Sequence, residues 1–166
     1  MNKVEEGWRA VLEQNEHLHG RLLTWESLLF QLDDNQCRTG ERLVKMQQIL
    51  RSFEDLLERE LARSFLGEEC GFYTDAANVL PNLRHLIWEL HEVHVALRER
   101  LAKIRAGLGE ATFLEQPELT RDAGLEFSRA LRAHMQQDER LVSAVVAARY
   151  RAADSGGTGQ ENVQPA

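Results

Sequence analysis

The sequence predicts an all-α protein, built as an up-down-up-down antiparallel four-helix bundle, and three observations support that class. Four long segments carry apolar residues at alternating intervals of three and four, which is the period of an amphipathic helix. No segment alternates polar and apolar residues over the length that a half-buried strand requires. The 166 residues include only 3 prolines, so long helices can continue without interruption. Short connections between such helices make neighbouring helices antiparallel.

The first two helices are each marked by an apolar stripe along one face. The first stripe spans residues 8–32 and the second spans residues 43–64. Thr39 and Gly40 are expected to form the turn between them, because glycine is the common residue just after a helix end. For the same reason, Gly71 is expected to end the second helix.

The third and fourth helices repeat the pattern. The third stripe spans residues 83–108, and Pro81 precedes it at a position where the first turn of a helix tolerates proline. Residues 107–117 are predicted to form a loop. Pro117 is expected to open the fourth helix, whose stripe spans residues 127–148.

Composition and net charge indicate the domain bounds and exclude some classes of binding partner. Residues 1–152 are predicted to form one domain, followed by a disordered tail at 153–166 that has too little apolar content to fold. The net charge of −7 argues against nucleic acid or an anionic membrane as a partner. The chain contains no apolar run of the roughly 20 residues that a membrane span needs. The acidic N-terminus does not resemble a signal peptide, and Cys37 and Cys70 do not form a disulfide framework, so a cytoplasmic location is predicted.

Polar side chains interrupt the apolar stripes where leucine is expected. A buried polar group without a partner costs free energy, so such residues persist where they satisfy one another or bind a ligand. They lie at matching distances from the predicted turns, which places them in one layer of the bundle. The residues on the stripes are Asn15, Glu60, Ser64, His94, His134 and Asp138, and those directly beside them are His19, Glu68, His91 and Glu139.

This layer has the composition of a metal site. Imidazole and carboxylate groups that converge from facing helices are the ligands of non-haem iron in helical bundles. His134 and Asp138 are four residues apart and therefore share one helix face. The predicted ligands are His19, His94 and His134 through imidazole and Glu68 and Asp138 through carboxylate, with Glu60, His91 and Glu139 as further candidates.

Four segments, in chain order, resemble the helices of bacterial hemerythrin-like domains, the His-His-Glu cation-binding family. Residues 60–73 (ELARSFLGEECGFY) are similar to the second-helix motif His-Phe-x-x-Glu-Glu followed by Gly-Gly-Tyr. His19 and His94 occupy the places of the first-helix and third-helix histidines, and residues 134–139 (HMQQDE) resemble the fourth-helix His-x3-Glu-Glu. The resemblance spans residues 10–145.

The resemblance implies an oxygen-bridged di-iron centre. Such a centre serves in dioxygen binding, in sensing of oxygen, nitric oxide or redox state, or in iron handling. Ser64 departs from the motif, because the family has a histidine ligand at this place. The site could therefore be degenerate, or Glu60, Glu68 and His91 could reshape it into a centre that is richer in carboxylate or holds a single metal.

The predicted function is a sensor or carrier with one or two non-haem iron ions and no turnover, whose partners are the metal and dioxygen or nitric oxide. Two other function classes are kept as alternatives. The first alternative is a metal-free bundle that acts as a regulatory or protein-interaction module, which Ser64 favours. The second alternative is an oxidase or peroxidase at the same iron. Carboxylate di-iron enzymes of the ferritin type are disfavoured, because they need Glu-x-x-His on two helices and only Glu16 and His19 match that spacing.

Overall fold

The computed structural model describes residues 3–33 and 40–156, and this part of the chain contains helices and no strand. The predicted all-α class is confirmed. A 3-10 turn at Gln31–Asp33 extends the first helix, another at Pro81–Leu83 precedes the fourth, and Glu68–Phe72 form a π-helical turn. The α-helices are α1 (Lys3–Phe30), α2 (Gly40–Gly67), α3 (Tyr73–Val79), α4 (Arg84–Gly107), α5 (Glu110–Glu115) and α6 (Pro117–Gly156).

The four long helices contact one another in a closed ring. Helix α1 packs against α2 and α6, and α4 packs against the same two helices. The short helix α3 and the π-helical turn continue from the end of α2 and lie against α6 and α1 respectively. Each long helix therefore presents its apolar stripe to two neighbours, which buries the stripe.

The apolar core consists of two clusters. The larger contains Trp25, Phe65 and Phe127, and the smaller contains Trp8 and Phe72. Along α1, α4 and α6, and from the end of α2 into the π-helical turn, the two clusters are separated by polar residues, which include the buried side chains Asn15, His94, Asp138 and Glu68. The eight stripe residues of the first helix are all buried: Trp8, Val11, Asn15, Leu18, Leu22, Trp25, Leu29 and Leu32. The fold thus confirms the predicted buried face of the first helix and places a polar layer between two apolar clusters.

The prediction that Gly71 ends the second helix is wrong. The chain remains helical through Gly71, and no described residue has a positive φ, so Gly71 does not form a left-handed cap. Continuing the helix buries Phe72 and Tyr73, which are 2% and 1% exposed. The helix ends instead at Leu80, whose φ of −128° and ψ of 73° are extended because the next residue, Pro81, disfavours the helical conformation.

The predicted loop at 107–117 is also partly helical. It contains α5, which is anchored by the fully buried Phe113. Pro117 begins α6, as predicted, and α6 continues to Gly156. Gly40 of the predicted first turn is the first residue of α2, and residues 153–156 of the predicted tail belong to α6. Thr39 and residues 157–166 lie outside the described residues.

Candidate metal centre

Five buried side chains meet in the polar layer, and we refer to them as the polar cluster. None is more than 2% exposed. Glu68 comes from the π-helical turn, and the others come from α3, α4 and α6. The members of the polar cluster are Glu68, Tyr73, His94, His134 and Asp138.

The π-helical turn aligns Glu68 with Tyr73. In an α-helix, residues five apart point roughly 140° away from each other. Here the Tyr73 backbone N–H donates to the Glu68 carbonyl, five residues earlier, which is the hydrogen bond of a π-helix. The wider turn brings the Tyr73 hydroxyl to 3.4 Å from Glu68 Oε2. Both side chains therefore point into the polar cluster.

Three ligand-type atoms of the cluster form a small triangle. His94 Nε2 lies 3.0 Å from Glu68 Oε2 and 3.0 Å from His134 Nε2. The third side, from His134 Nε2 to Glu68 Oε2, measures 3.5 Å. A metal with bonds of about 2.1 Å holds neighbouring ligand atoms about 3.0 Å apart at right angles and about 3.4 Å apart at tetrahedral angles. The triangle therefore has the size of one face of a metal's coordination shell.

Asp138 supplies a fourth oxygen to this group. Its Oδ1 accepts a hydrogen bond of 2.8 Å from the Tyr73 hydroxyl. Its Oδ2 lies 3.1 Å from His134 Nε2. The two groups are not oriented for a hydrogen bond, so Oδ2 is buried without a hydrogen-bond partner. Asp138 and His134 are one helical turn apart on α6, which places both on the same side of the cluster.

The polar cluster contains fewer hydrogen-bond donors than its imidazole and carboxylate lone pairs could accept. His94 Nδ1 lies 2.6 Å from Glu69 Oε1, which favours a proton on Nδ1 and leaves the lone pair of Nε2 facing the cluster. Tyr73 carries a single hydroxyl hydrogen, which is shared among Asp138 and two more distant acceptors. A cation among His94 Nε2, His134 Nε2 and the carboxylate oxygens of Glu68 and Asp138 would satisfy the lone pairs of these atoms together, so the residues fit a bound metal.

The charges of the cluster also favour a cation. Burial opposes ionisation of Glu68, but when the cluster holds protons in place of a metal, hydrogen bonds from protonated His134 and His94 and from Ser64 outweigh burial and lower the pKa of this carboxyl to about 2. Burial raises the pKa of Asp138 to about 7, although the charge of His134 opposes the shift. Burial and the neighbouring charge of Asp138 raise the pKa of Tyr73, so its hydroxyl stays neutral and keeps its hydrogen. Glu68 therefore provides a buried negative charge.

Residues outside the cluster hold His94 in place. The ring of Phe65 stacks on the His94 imidazole at a centroid distance of 3.9 Å and an angle of 10°. Arg98 lies 5.2 Å from the Phe65 ring and donates to Glu69 Oε1 at 3.3 Å. A carboxylate on the outer nitrogen of a histidine is the usual support for a metal-binding imidazole. Burial opposes ionisation of Glu69, but the hydrogen bond with His94 outweighs it and lowers the Glu69 pKa.

A second group of ligand-type atoms lies on the outer side of His94. Glu69, His91 and His94 Nδ1 approach within 4.8 Å of one another. The Arg98 guanidinium contacts the same Glu69 oxygen that faces both histidines. Because this positive charge opposes a second cation, the outer group is better described as support for His94.

The structure brings four of the predicted ligands together and places the others elsewhere. Glu68, His94, His134 and Asp138 are in the cluster, and His91 lies beside Glu69, 3.9 Å from its Oε1.

His19, Glu60 and Glu139 have different surroundings. His19 is exposed, with its Nδ1 3.0 Å from Arg132. Glu60 lies 3.1 Å from His17 and 3.4 Å from Arg21, and Glu139 is exposed. Each is next in sequence to a buried residue (Leu18, Leu61 and Asp138), and neighbours on a helix point about 100° apart.

Neither Tyr73 nor the support that Glu69 gives to His94 was predicted from the sequence. The signal for Tyr73 was its position five residues after Glu68, which becomes informative only if the helix contains a π-helical turn. Glu69 could have been noticed as the second carboxylate of the Glu-Glu pair, free to approach the opposite edge of a histidine.

Comparisons with known proteins add no relative. The chain matches no protein-family model, no curated protein and no solved structure. In the described part of the chain, no helix has the length and apolar content of a membrane span. The function is therefore argued from the geometry of the polar cluster.

Proposed function

We propose that this protein binds one transition-metal ion through Glu68, His94 and His134, with Asp138 as a fourth ligand. The observation that supports the proposal best is the buried triangle of ligand atoms, with sides of 3.0, 3.0 and 3.5 Å. The lone pairs of these ligand atoms outnumber the hydrogen-bond donors that the chain places beside them. In this proposal the four long helices form an up-down-up-down bundle, and the metal site lies between its two apolar clusters.

Non-haem iron suits this ligand set. Two imidazoles and a carboxylate, with coordination positions left open, are characteristic of ferrous sites, whereas thiolate ligands favour other metals. The resemblance to hemerythrin-like domains supports iron as well, together with a role in sensing dioxygen, nitric oxide or redox state, or in handling iron. The metal would supply the affinity for a small ligand, and the chain would supply the burial and orientation of its site. We propose a sensor or carrier in preference to an enzyme.

Ser64 favours one metal over two. It occupies the place of a family histidine, and its hydroxyl donates to Glu68 Oε1 at 2.8 Å. That hydrogen bond holds Glu68 with Oε2 toward the two histidines. His19 and Glu60 are paired with Arg132 and His17 and are not placed to complete a second metal position.

A metal-free regulatory module is the second candidate, and one observation favours it. His94 lies between two carboxylates, with Nε2 3.0 Å from Glu68 and Nδ1 2.6 Å from Glu69. A doubly protonated His94 could donate to both, and the polar cluster would then be a hydrogen-bonded layer that needs no metal.

Metal content separates the two candidates. The protein is purified without chelators, reconstituted anaerobically with ferrous iron and analysed by mass spectrometry and absorption spectroscopy. We expect about one iron per chain, lost in a His94→Ala variant and retained in His85→Ala, which removes an exposed histidine. Two irons per chain, with oxo-bridge absorption in air, would instead establish a di-iron centre. Absence of iron after reconstitution would reject the metal function and favour the module.

A further inference from the structure

A cavity of about 250 Å³ lies between α1 and the end of α2, and it reaches the polar cluster. Its lining includes Ser64 and Glu68, which are 6% and 2% exposed, together with Gly67 and Gly71, which are exposed. The cavity therefore extends from the protein surface to Ser64 and Glu68, at the edge of the candidate metal centre.

Three glycines keep this cavity open. Gly7 lines it from α1, and Gly67 and Gly71 line it from the opposite side. A Cβ placed on any of the three has no atom within 4 Å, so each glycine faces open space. None has a positive φ, so the backbone does not require glycine there, and glycine weakens a helix relative to alanine. What glycine contributes at these positions is the absence of a side chain.

Ser64 has the same effect at the inner end of the cavity. Its hydroxyl is engaged with Glu68 Oε1 at 2.8 Å, and its short side chain leaves the space beside that carboxylate unfilled. Val11 and Phe72 provide apolar walls, and Arg63 is an exposed lining residue. Gln14 and Asp75 add polar groups to the lining, so the cavity suits a small polar ligand of a few atoms that has a lone pair for the metal.

We infer that the cavity is the route by which a small exogenous ligand reaches the metal, with Ser64 and the three glycines keeping the route open. The inference rests on the proposed metal binding. It assigns the direction of approach to the side of Glu68 that faces α1. The ligand class is a lone-pair donor of two or three atoms, for which azide is a suitable probe.

The test fills the cavity and leaves the ligand residues unchanged. The protein is loaded with cobalt(II), whose visible spectrum reports ligand binding, and azide association is followed by stopped-flow absorbance. In Gly67→Leu and Gly71→Leu, leucine also favours the helix, and we expect at least about 10-fold slower association with cobalt content unchanged. Gly20→Leu is the matched control, because Gly20 also faces open space on α1 but does not line the cavity, and its rate should equal that of the unmodified protein.

A variant on the opposite wall removes one ambiguity. Gly7→Leu fills the cavity from α1, a helix that provides no proposed ligand, and unchanged cobalt content in this variant would show that Glu68 remains in place while azide association slows. Unchanged rates in all three filled variants, or an unmodified cobalt protein that does not bind azide, would overturn the route. Failure of the unmodified protein to bind cobalt would instead reject the metal function on which the route depends.

Discussion

Glu69 Oε1 lies 2.6 Å from His94 Nδ1, on the edge of the imidazole opposite the polar cluster. The contact orients the ring and favours a proton on Nδ1, so that Nε2 presents a lone pair to Glu68 and His134. Glu69 is half-buried and its Oε1 is also held by Arg98 at 3.3 Å. The ligand geometry of His94 therefore depends on a residue that does not itself touch the proposed metal.

Replacing Glu69 with glutamine should weaken metal binding. The amide accepts a weaker hydrogen bond and lacks the negative charge, so His94 becomes a poorer ligand. Loss of such an outer carboxylate typically costs 10- to 100-fold in affinity. Competition with a chelator measures the change, and Glu89→Gln is the control, because Glu89 pairs with the exposed His85 at 3.2 Å. Equal affinities in the two variants would show that Glu69 does not position His94.

The Tyr73 hydroxyl should stabilise the metal-free protein. In Tyr73→Phe, Asp138 Oδ1 loses the 2.8 Å hydrogen bond while remaining buried. An unsatisfied buried acceptor costs about 1–3 kcal/mol, and thermal unfolding should occur at a correspondingly lower temperature. Tyr150→Phe removes a hydroxyl that is exposed and should leave the melting temperature unchanged. Bound metal should reduce the loss in Tyr73→Phe, because a cation can pair with the freed oxygen.

The periodicity of the sequence predicted which helix faces are buried, and hence the convergence of His94, His134 and Asp138. Burial of leucine and aromatic side chains sets the rotation of each helix, so a polar residue on the same stripe is carried inward with them. His19 does not point into the core, because the rotation of α1 that would bury His19 would bring Leu18 to the surface. In the structure Leu18 is buried, with only 1% of its surface exposed.

The π-helical turn was not predictable in the same way. Gly71 has the local signature of a helix end, and the continued helix depends on the burial of Phe72 and Tyr73 against other elements. Such tertiary packing overrides local preference. The position of Tyr73 in the polar cluster follows from that turn, which explains why the sequence predicted the carboxylates and imidazoles but not the phenol.

Metal binding should stabilise the folded state. A ligand that binds only the folded protein adds about 2.7 kcal/mol at a free concentration 100 times its Kd, which for a chain of this size raises Tm by roughly 5–10 °C. Calorimetry of the metal-free and metal-loaded protein measures the shift. The double variant His94→Leu, His134→Leu should lose it, and the matched double variant His17→Leu, His85→Leu, which removes exposed histidines, should retain it. The metal-free module would be favoured by two results together. The His94→Leu, His134→Leu variant would be as stable as the unmodified protein, and metal would change the Tm of neither protein.

Glu54 should make stability fall as pH rises above about 4.5. Burial raises the pKa of this carboxyl even though Arg105 opposes the shift, and Glu54 is only 2% exposed. The folded state therefore binds the proton more tightly than the unfolded state, and this contribution is lost as pH rises through the folded pKa. In urea unfolding of the metal-free protein, Glu54→Gln should gain stability relative to the original between pH 4 and pH 7. Glu58→Gln, an exposed partner of the same Arg105, should gain less, and an equal gain would contradict the role of burial.

Gly124 is the position where α6 lies too close to α1 for a side chain. A Cβ there would approach Leu29 Cδ1 to 2.5 Å and Trp25 Nε1 to 3.2 Å, and both neighbours are 0% exposed. Overpacking of this kind costs about 1–3 kcal/mol, which exceeds the gain of about 1 kcal/mol that alanine brings to a helix. Gly124→Ala should therefore lower the free energy of unfolding. Gly20→Ala, where a Cβ has no atom within 4 Å, should raise it, and opposite signs in denaturant titrations of the two variants would establish the close approach. If both variants were stabilised to the same extent, α1 and α6 would have to be farther apart at Gly124 than the structure places them.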